Sequence, residues 1–131
     1  MPHGSAARVL SRPQALIVDD CRFIAERVAR ALEAKGFDCT VVADGFAGLG
    51  LIRARRFDLF VLDVDMPFID GFTVLRELRN DAVHARTPVL MLAAENSEAD
   101  HDRARELGAS GTMSKPLQLR PLNAIIDAMT T

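Results

Sequence analysis

Short apolar runs alternate with longer amphipathic stretches along this chain, and the alternation predicts five β–α units. The apolar runs predict strands at residues 15–18, 39–42, 59–62, 89–92 and 111–114, the last being the weakest. The stretches between them space their apolar residues as helices do. Gly36 and Gly108 follow two of these stretches, where a glycine commonly ends a helix. Asp70, and Ser97 with Asp100 three residues later, are predicted to cap the third and fourth helices.

Strands this continuously apolar are typical of a parallel sheet covered by helices on both faces. Right-handed crossovers then favour an α/β fold with three layers, a doubly wound five-stranded parallel sheet. Spacing alone does not give the strand order. The flavodoxin-like order 2-1-3-4-5 is the common solution for five units, and it places a ligand site where strands 1 and 3 meet.

Composition narrows the class of protein. The 131 residues suit one domain, and a net charge of −2 gives no electrostatic reason to expect nucleic acid or an anionic membrane as a direct partner. The chain has no signal-peptide pattern and no apolar run near the length of a membrane span, which predicts a cytoplasmic protein. Residues 1–13 are predicted to be a flexible lead or a cloning remnant, with the domain at 14–131. Cys21 and Cys39 are predicted to be free thiols.

Charged residues follow three of the five strands. Asp19 and Asp20 come after strand 1, Asp63 and Asp65 after strand 3, and Lys115 after strand 5. Carboxyl ends of parallel strands meet at one edge, so carboxylates there would repel one another unless a cation such as Mg²⁺ sat among them. For Asp19 and Asp20 separately, capping of the next helix is an equally good interpretation.

Three segments carry a resemblance to a known family. They are residues 17–20 (Ile-Val-Asp-Asp), residues 62–71 (Leu-Asp-Val-Asp-Met-Pro-Phe-Ile-Asp-Gly) and the Lys115-Pro116 pair. An aspartate followed by proline four residues later and by Asp-Gly at seven and eight resembles the receiver domain of bacterial response regulators, from about Gln14 to the C-terminus.

The resemblance implies that Asp63 accepts a phosphoryl group from a histidine kinase or a histidine phosphotransfer protein. Asp19, Asp20, Asp63 and the backbone carbonyl of Asp65 would hold Mg²⁺ or Mn²⁺. Lys115 would contact the phosphoryl group, with its peptide bond to Pro116 in the cis form. Output would reach a downstream protein target or effector domain by protein contact, and a homodimer is one possible form.

Two positions depart from the family's pattern. Ala93 stands where the family has a Thr or Ser that meets the phosphoryl group, and Thr112 stands where it often has an aromatic residue. Metal ligands, nucleophile and lysine are retained, so phosphorylation is expected. The usual relay from phosphate to the surface lacks its hydroxyl and its ring. The sequence therefore predicts an atypical switch, with the alternative that Ala93 merely packs and water fills the gap.

Two other functions compete with this interpretation. The Asp63-Val64-Asp65 motif also resembles haloacid-dehalogenase-type phosphatases, but Pro67 and the preceding β–α–β–α segment do not fit them. The second is a pseudo-receiver, a protein-binding module that acts without phosphorylation. Both His84 and His101 lie in polar sequence and are predicted to be surface residues.

Overall fold

The computed structural model describes residues 11–130, which form alternating strands and helices. The strands are β1 (Gln14–Val18), β2 (Asp38–Val42), β3 (Leu59–Asp63), β4 (Val89–Ala93) and β5 (Gly111–Ser114). The helices are α1 (Arg22–Glu33), α2 (Gly45–Ala54), α3 (Gly71–Asn80), α4 (Glu98–Glu106) and α5 (Leu119–Thr130). Each strand is thus followed by a helix, as the hydrophobic pattern predicts. The part of the predicted lead at residues 1–10 lies outside the described residues.

The strands form one parallel sheet in the order β2-β1-β3-β4-β5, which confirms the predicted doubly wound fold. Every residue of β3 and β4 is buried, as expected for strands covered on both faces. The edge strands differ, because β2 and β5 keep exposed positions. Burial on both faces therefore holds for the three central strands apart from the half-buried Gln14, and not for the two at the edges.

The core lies on both faces of the sheet. One cluster packs α2, α3 and α4 against side chains such as Leu16, Phe60 and Met91. The other packs α1 and α5 against the opposite face, around Ile17 and Leu90. Alternate residues along each strand serve opposite clusters, so the strand backbones are fixed from both sides and their carboxyl ends have defined positions.

The residues at the helix starts show which of the predicted caps form. The Asp70 side chain accepts from the Thr73 amide at 2.9 Å, so it caps α3 as the sequence predicts. Ser97 occupies the cap position of α4, but its side chain makes no capping hydrogen bond, and the predicted Ser97–Asp100 arrangement is wrong in that respect. Cys21, rather than Asp19 or Asp20, holds the cap position of α1. Among the described residues, none of the helices has the length and apolar character to span a bilayer.

Candidate phosphoacceptor site

Three carboxylates converge where β1 and β3 end side by side. Oxygens of Asp19, Asp20 and Asp63 lie within 4.8 Å of one another. The pairing of Val18 with Leu62 places the strand ends level, which brings together residues more than 40 positions apart. Asp19 and Asp63 are each only 2% exposed, whereas Asp20 is exposed. The sequence-predicted acidic cluster is thus present in the fold.

Backbone and lysine contacts satisfy one oxygen of each buried acid in this cluster. Asp19 Oδ1 accepts from the Cys21 amide at 2.9 Å, a contact that gives Asp19 a part in starting α1. Asp63 Oδ1 accepts from Lys115 Nζ at 2.9 Å and from the Asp65 amide at 3.3 Å. The second oxygens, Asp19 Oδ2 and Asp63 Oδ2, are buried without a hydrogen-bond partner among residues 11–130.

The electrostatics of the cluster favour a bound cation. Burial raises the pKa of Asp63 to about 7; the Lys115 hydrogen bond opposes this and the Asp19 charge adds to it. Burial lowers the pKa of Lys115, but its hydrogen bond to Asp63 and the charges of Asp19, Asp63 and Asp20 outweigh this and raise it. Two oxygens without partners and an exposed third acid are the donor set that Mg²⁺ prefers, so these residues fit a divalent ion.

Lys115 directly follows β5, the edge strand that lies two places from β3 in the sheet. Its amide donates to the Ala93 carbonyl at 2.8 Å, which extends the β4–β5 pairing past Ser114. Its peptide bond to Pro116 is cis, as the family resemblance implies. Lys115 Nζ also lies 4.0 Å from Asp19 Oδ2, so one ammonium faces both buried acids. Asp65 has an exposed side chain, and the role of its carbonyl stays a prediction.

Two glycines allow backbone to approach backbone around the site. A Cβ on Gly71 would lie 2.2 Å from the Asp63 carbonyl oxygen, so only glycine lets α3 begin directly against β3. A Cβ on Gly45 would lie 2.8 Å from the Ile69 carbonyl oxygen, in the segment that follows Asp63. The Asp-Gly pair at positions 70–71 therefore combines a helix cap with a close contact to the Asp63 backbone.

The two atypical positions have different surroundings. Ala93 is 1% exposed at the end of β4 and packs in the core cluster with Met91. Thr112 is half-buried, and its hydroxyl lies 2.6 Å from His101 Nδ1. The Thr112 side chain thus has a partner on α4 that its position in the sequence does not reveal.

The prediction that both histidines lie at the surface is wrong for His84, which is 1% exposed. Its Nε2 accepts from the Phe57 amide at 3.1 Å, and its Nδ1 lies 2.9 Å from Asp81 Oδ2. The ring packs edge-on against Phe60, with centroids 5.1 Å apart. These partners lie up to 27 residues away, which explains why local polarity misled the prediction.

Comparison with known proteins agrees with this geometry. Residues 15–127 match the response regulator receiver domain. The chain therefore belongs to that family of two-component signalling proteins, and the phosphatase alternative is wrong.

Similar proteins extend the comparison. The chain is 36% identical over 117 residues to the DNA-binding dual master transcriptional regulator RpaA of Synechocystis, covering 89% of this chain and 48% of that protein. It is 37% identical over 114 residues to the alkaline phosphatase synthesis transcriptional regulatory protein PhoP of Bacillus subtilis, covering 87% of this chain and 47% of that protein. The chain thus spans about half the length of these curated relatives.

Solved structures resemble the whole fold. The chemotaxis response regulator CheY4 of Vibrio cholerae has a TM-score of 0.83 at 29% identity, over 91% of this chain and 99% of that one. A putative response regulator from Chloroflexus aurantiacus has a TM-score of 0.86 at 28% identity, over 92% and 98%. Since RpaA is named as DNA-binding, the expectation of no direct nucleic-acid contact stays a prediction for this chain.

Proposed function

We propose that this chain accepts a phosphoryl group on Asp63 and acts as the switch of a two-component phosphorelay. The observation that carries the proposal is the pair of buried carboxylate oxygens, on Asp19 and Asp63, that have no hydrogen-bond partner among the described residues and lie beside the Lys115 ammonium. Burying acids this way is costly, and proteins retain such groups where a ligand will complete them.

Each residue has a distinct part in the transfer. Asp63 supplies the attacking carboxylate oxygen, which bonds to phosphorus as the bond from phosphorus to the donor's imidazole nitrogen breaks. Lys115 is within hydrogen-bond distance of Asp63 and neutralises charge on the incoming phosphoryl oxygens. Asp19, Asp20 and Asp63, with the carbonyl of Asp65, would hold Mg²⁺ or Mn²⁺, which supplies further positive charge against the phosphoryl oxygens.

The edge around the site supports a protein as the phosphoryl donor. Four exposed apolar side chains lie on the segments that follow β1, β2, β3 and β5, at the same edge as Asp63: Phe23, Phe46, Phe68 and Leu119. We call these four the apolar rim. Phe68 is 95% exposed, which is unfavourable for an isolated ring in water. A histidine kinase or phosphotransfer protein that delivers phosphate to Asp63 would cover this rim.

Intact-mass measurement after incubation with acetyl phosphate and Mg²⁺ tests the chemistry. We expect one phosphoryl addition to the parent, none after chelation of Mg²⁺, and none to Asp63→Asn. Asp102→Asn is the matched control, since that acid lies on the surface of α4 and should leave uptake unchanged. Uptake by Asp63→Asn equal to that of the parent would refute the site. A parent that stays unmodified would instead favour the pseudo-receiver, which the Ala93 and Thr112 departures keep as the second candidate.

Transfer from candidate histidine kinases tests the rim. Phe68→Ala should slow transfer from a kinase while leaving phosphorylation by acetyl phosphate unchanged. Val83→Ala is the control, because Val83 is also exposed, at 59%, but follows α3 near the opposite edge of the sheet. Equal effects of the two substitutions on transfer would contradict a docking role for the rim.

A further inference from the structure

Helix α4 has little hydrophobic anchoring. Of its nine residues only Ala104 is buried, whereas α3 buries five of its ten. Arg103 adds a contact across the Phe72 ring at 4.5 Å, and Arg79 donates to the Gly108 carbonyl just beyond the helix. Since apolar burial is the main force that holds helices on sheets, α4 depends on polar contacts more than α3 does.

The polar contact at the centre of α4 is made by His101. Its Nδ1 lies 2.6 Å from Thr112 Oγ1 and its Nε2 lies 2.7 Å from Ser114 Oγ. Thr112 and Ser114 are two residues apart on β5 and so share one face of the strand. Each hydroxyl can donate or accept, so the neutral ring is satisfied in either tautomer. We call these three residues the clasp.

The clasp connects with the phosphoacceptor site through one residue. Ser114 directly precedes Lys115, whose Nζ lies 2.9 Å from Asp63 Oδ1. Ser114 also pairs with Ala93 across the sheet, and Ala93 offers no hydroxyl to a phosphoryl group. Asp63 is therefore connected to α4 through Lys115, its chain neighbour Ser114 and the hydrogen bond between Ser114 and His101. A connection through a hydroxyl at the end of β4 is missing, because Ala93 stands there.

We propose that His101 is a positioning residue that transmits a displacement of Lys115, through the Ser114 hydroxyl, to α4. Its biological use rests on the proposed function, because phosphorylation of Asp63 would redirect the Lys115 ammonium toward the phosphoryl oxygens. Ser114 then moves with its neighbour, and the 2.7 Å contact to His101 either carries α4 along or breaks. The Thr112 contact fixes the ring but does not carry the displacement.

Two conservative variants separate transmission from simple attachment. In His101→Asn the amide occupies the place of Nδ1, so it retains the Thr112 contact and loses Ser114. In His101→Gln the amide reaches the place of Nε2, so it retains the Ser114 contact. Amide exchange of residues 98–106 is measured with and without Mg²⁺ and beryllofluoride, a phosphoryl mimic. We expect the parent and His101→Gln to respond to the mimic and His101→Asn not to respond.

His101→Ala removes both contacts and should raise exchange in α4 about tenfold without the mimic. Asp102→Ala is the matched control on the same helix, because its ion-pair partner is Arg105 and, among the described residues, it makes no side-chain hydrogen bond to β5. Equal responses of His101→Gln and His101→Asn to the mimic would overturn the assignment to Ser114. An α4 exchange rate in His101→Ala equal to that in Asp102→Ala would overturn the clasp itself.

A second arm keeps this result distinct from a failure of the proposed function. Fluorine NMR reports whether beryllofluoride binds, and a parent that binds none contradicts phosphorylation of Asp63. Lys115→Ala then tests the clasp without any phosphoryl group. It should alter α4 exchange in the parent and in His101→Gln, and leave it unaltered in His101→Asn. The same change in all three backgrounds would refute transmission through Ser114.

Discussion

Polar side chains are buried in opposite ways at the carboxyl ends and at the amino ends of the strands. At the carboxyl ends of the strands, Asp19 and Asp63 each keep one buried oxygen that has no hydrogen-bond partner in the described part of the chain. At the amino ends, His84 is buried as deeply, but the Phe57 amide and the Asp81 carboxylate occupy both of its ring nitrogens. Burial of the two acids at the carboxyl ends lowers the stability of the fold, whereas the His84 contacts at the amino ends contribute to it.

Whether a buried polar group has its hydrogen bonds satisfied distinguishes a binding site from a structural contact better than its burial or its residue type does. A satisfied buried group rigidifies its surroundings, whereas an unsatisfied one has capacity for a ligand. His84 would rank high in any search for buried titratable residues, yet its contacts leave nothing to bind. The comparison leads to four expectations, from the largest effect to the smallest.

Loss of the satisfied group should cost the most. His84→Ala leaves the Phe57 amide without its acceptor and opens a cavity beside Phe60. We expect a loss of about 3–5 kcal/mol in the free energy of unfolding, measured by urea denaturation. Val83→Ala next to it should change little. Phosphorylation of Asp63 in molecules that remain folded should be unaffected, and a selective loss of phosphorylation would contradict the structural role.

Loss of the unsatisfied group should have the opposite sign. Burial raises the pKa of Asp63 to about 7, so the folded state retains a proton that the unfolded chain releases near pH 4. Stability of the chelated, metal-free protein should therefore fall as pH rises from about 4 through 7, by on the order of 3 kcal/mol. Asp63→Asn should flatten this dependence and be more stable than the parent at pH 8. Parallel curves for parent and variant would show that Asp63 is ionised at little cost.

Backbone contact beneath Asp63 gives the third test. Gly71→Ala places a Cβ 2.2 Å from the Asp63 carbonyl oxygen, so either α3 or the end of β3 must shift. We expect a cost of about 1–3 kcal/mol in unfolding free energy and a slower reaction with acetyl phosphate. The matched substitution is Gly50→Ala within α2, where a Cβ would have no atom of the described residues within 4 Å. That variant should gain about 0.5–1 kcal/mol, because alanine favours the helix. A loss of similar size in both would point to a general intolerance of change.

The smallest effect is expected from Asp81, the carboxylate that contacts the His84 ring. Hydrogen bonds from the His84 ring and the Val83 amide lower the pKa of Asp81 from its ordinary 3.8, so its stabilising contribution is present above that pH and is lost as the pH falls below it. Asp81→Asn should make the unfolding midpoint less sensitive to acid below pH 5. An unchanged slope in that range would mean that Asp81 contributes only through its neutral hydrogen bond.

The sequence predicts the strands well because their apolar runs are local. It also predicts the acids and Lys115, because each directly follows a strand and parallel strands bring those ends together. It does not predict the surroundings of His84 or His101. Their partners lie 27 residues away for Phe57 and 11 and 13 for Thr112 and Ser114. A hydroxyl at every second position of β5 is the one available signal for the clasp, and it is too common to be decisive.

Capping shows a subtler limit. Asp70 and Ser97 carry similar local patterns, yet Asp70 bonds to the Thr73 amide and Ser97 makes no such bond. Asp70 has an extended backbone (φ −83°, ψ 172°) at the close-packed start of α3, whereas Ser97 at the start of α4 does not (φ −103°, ψ 76°). A cap thus depends on how the preceding loop arrives, which is a tertiary property.

The slight burial of α4 has a consequence for how such a protein diversifies. With one buried residue in the helix, most of its positions can be exchanged at a cost within about 0.5 kcal/mol each. Neither the hydrophobic core nor the acidic cluster restricts which residues stand at those positions. Substitutions on α4 can therefore change its surface while the fold and the acidic cluster stay the same, provided that the residue at position 101 is kept.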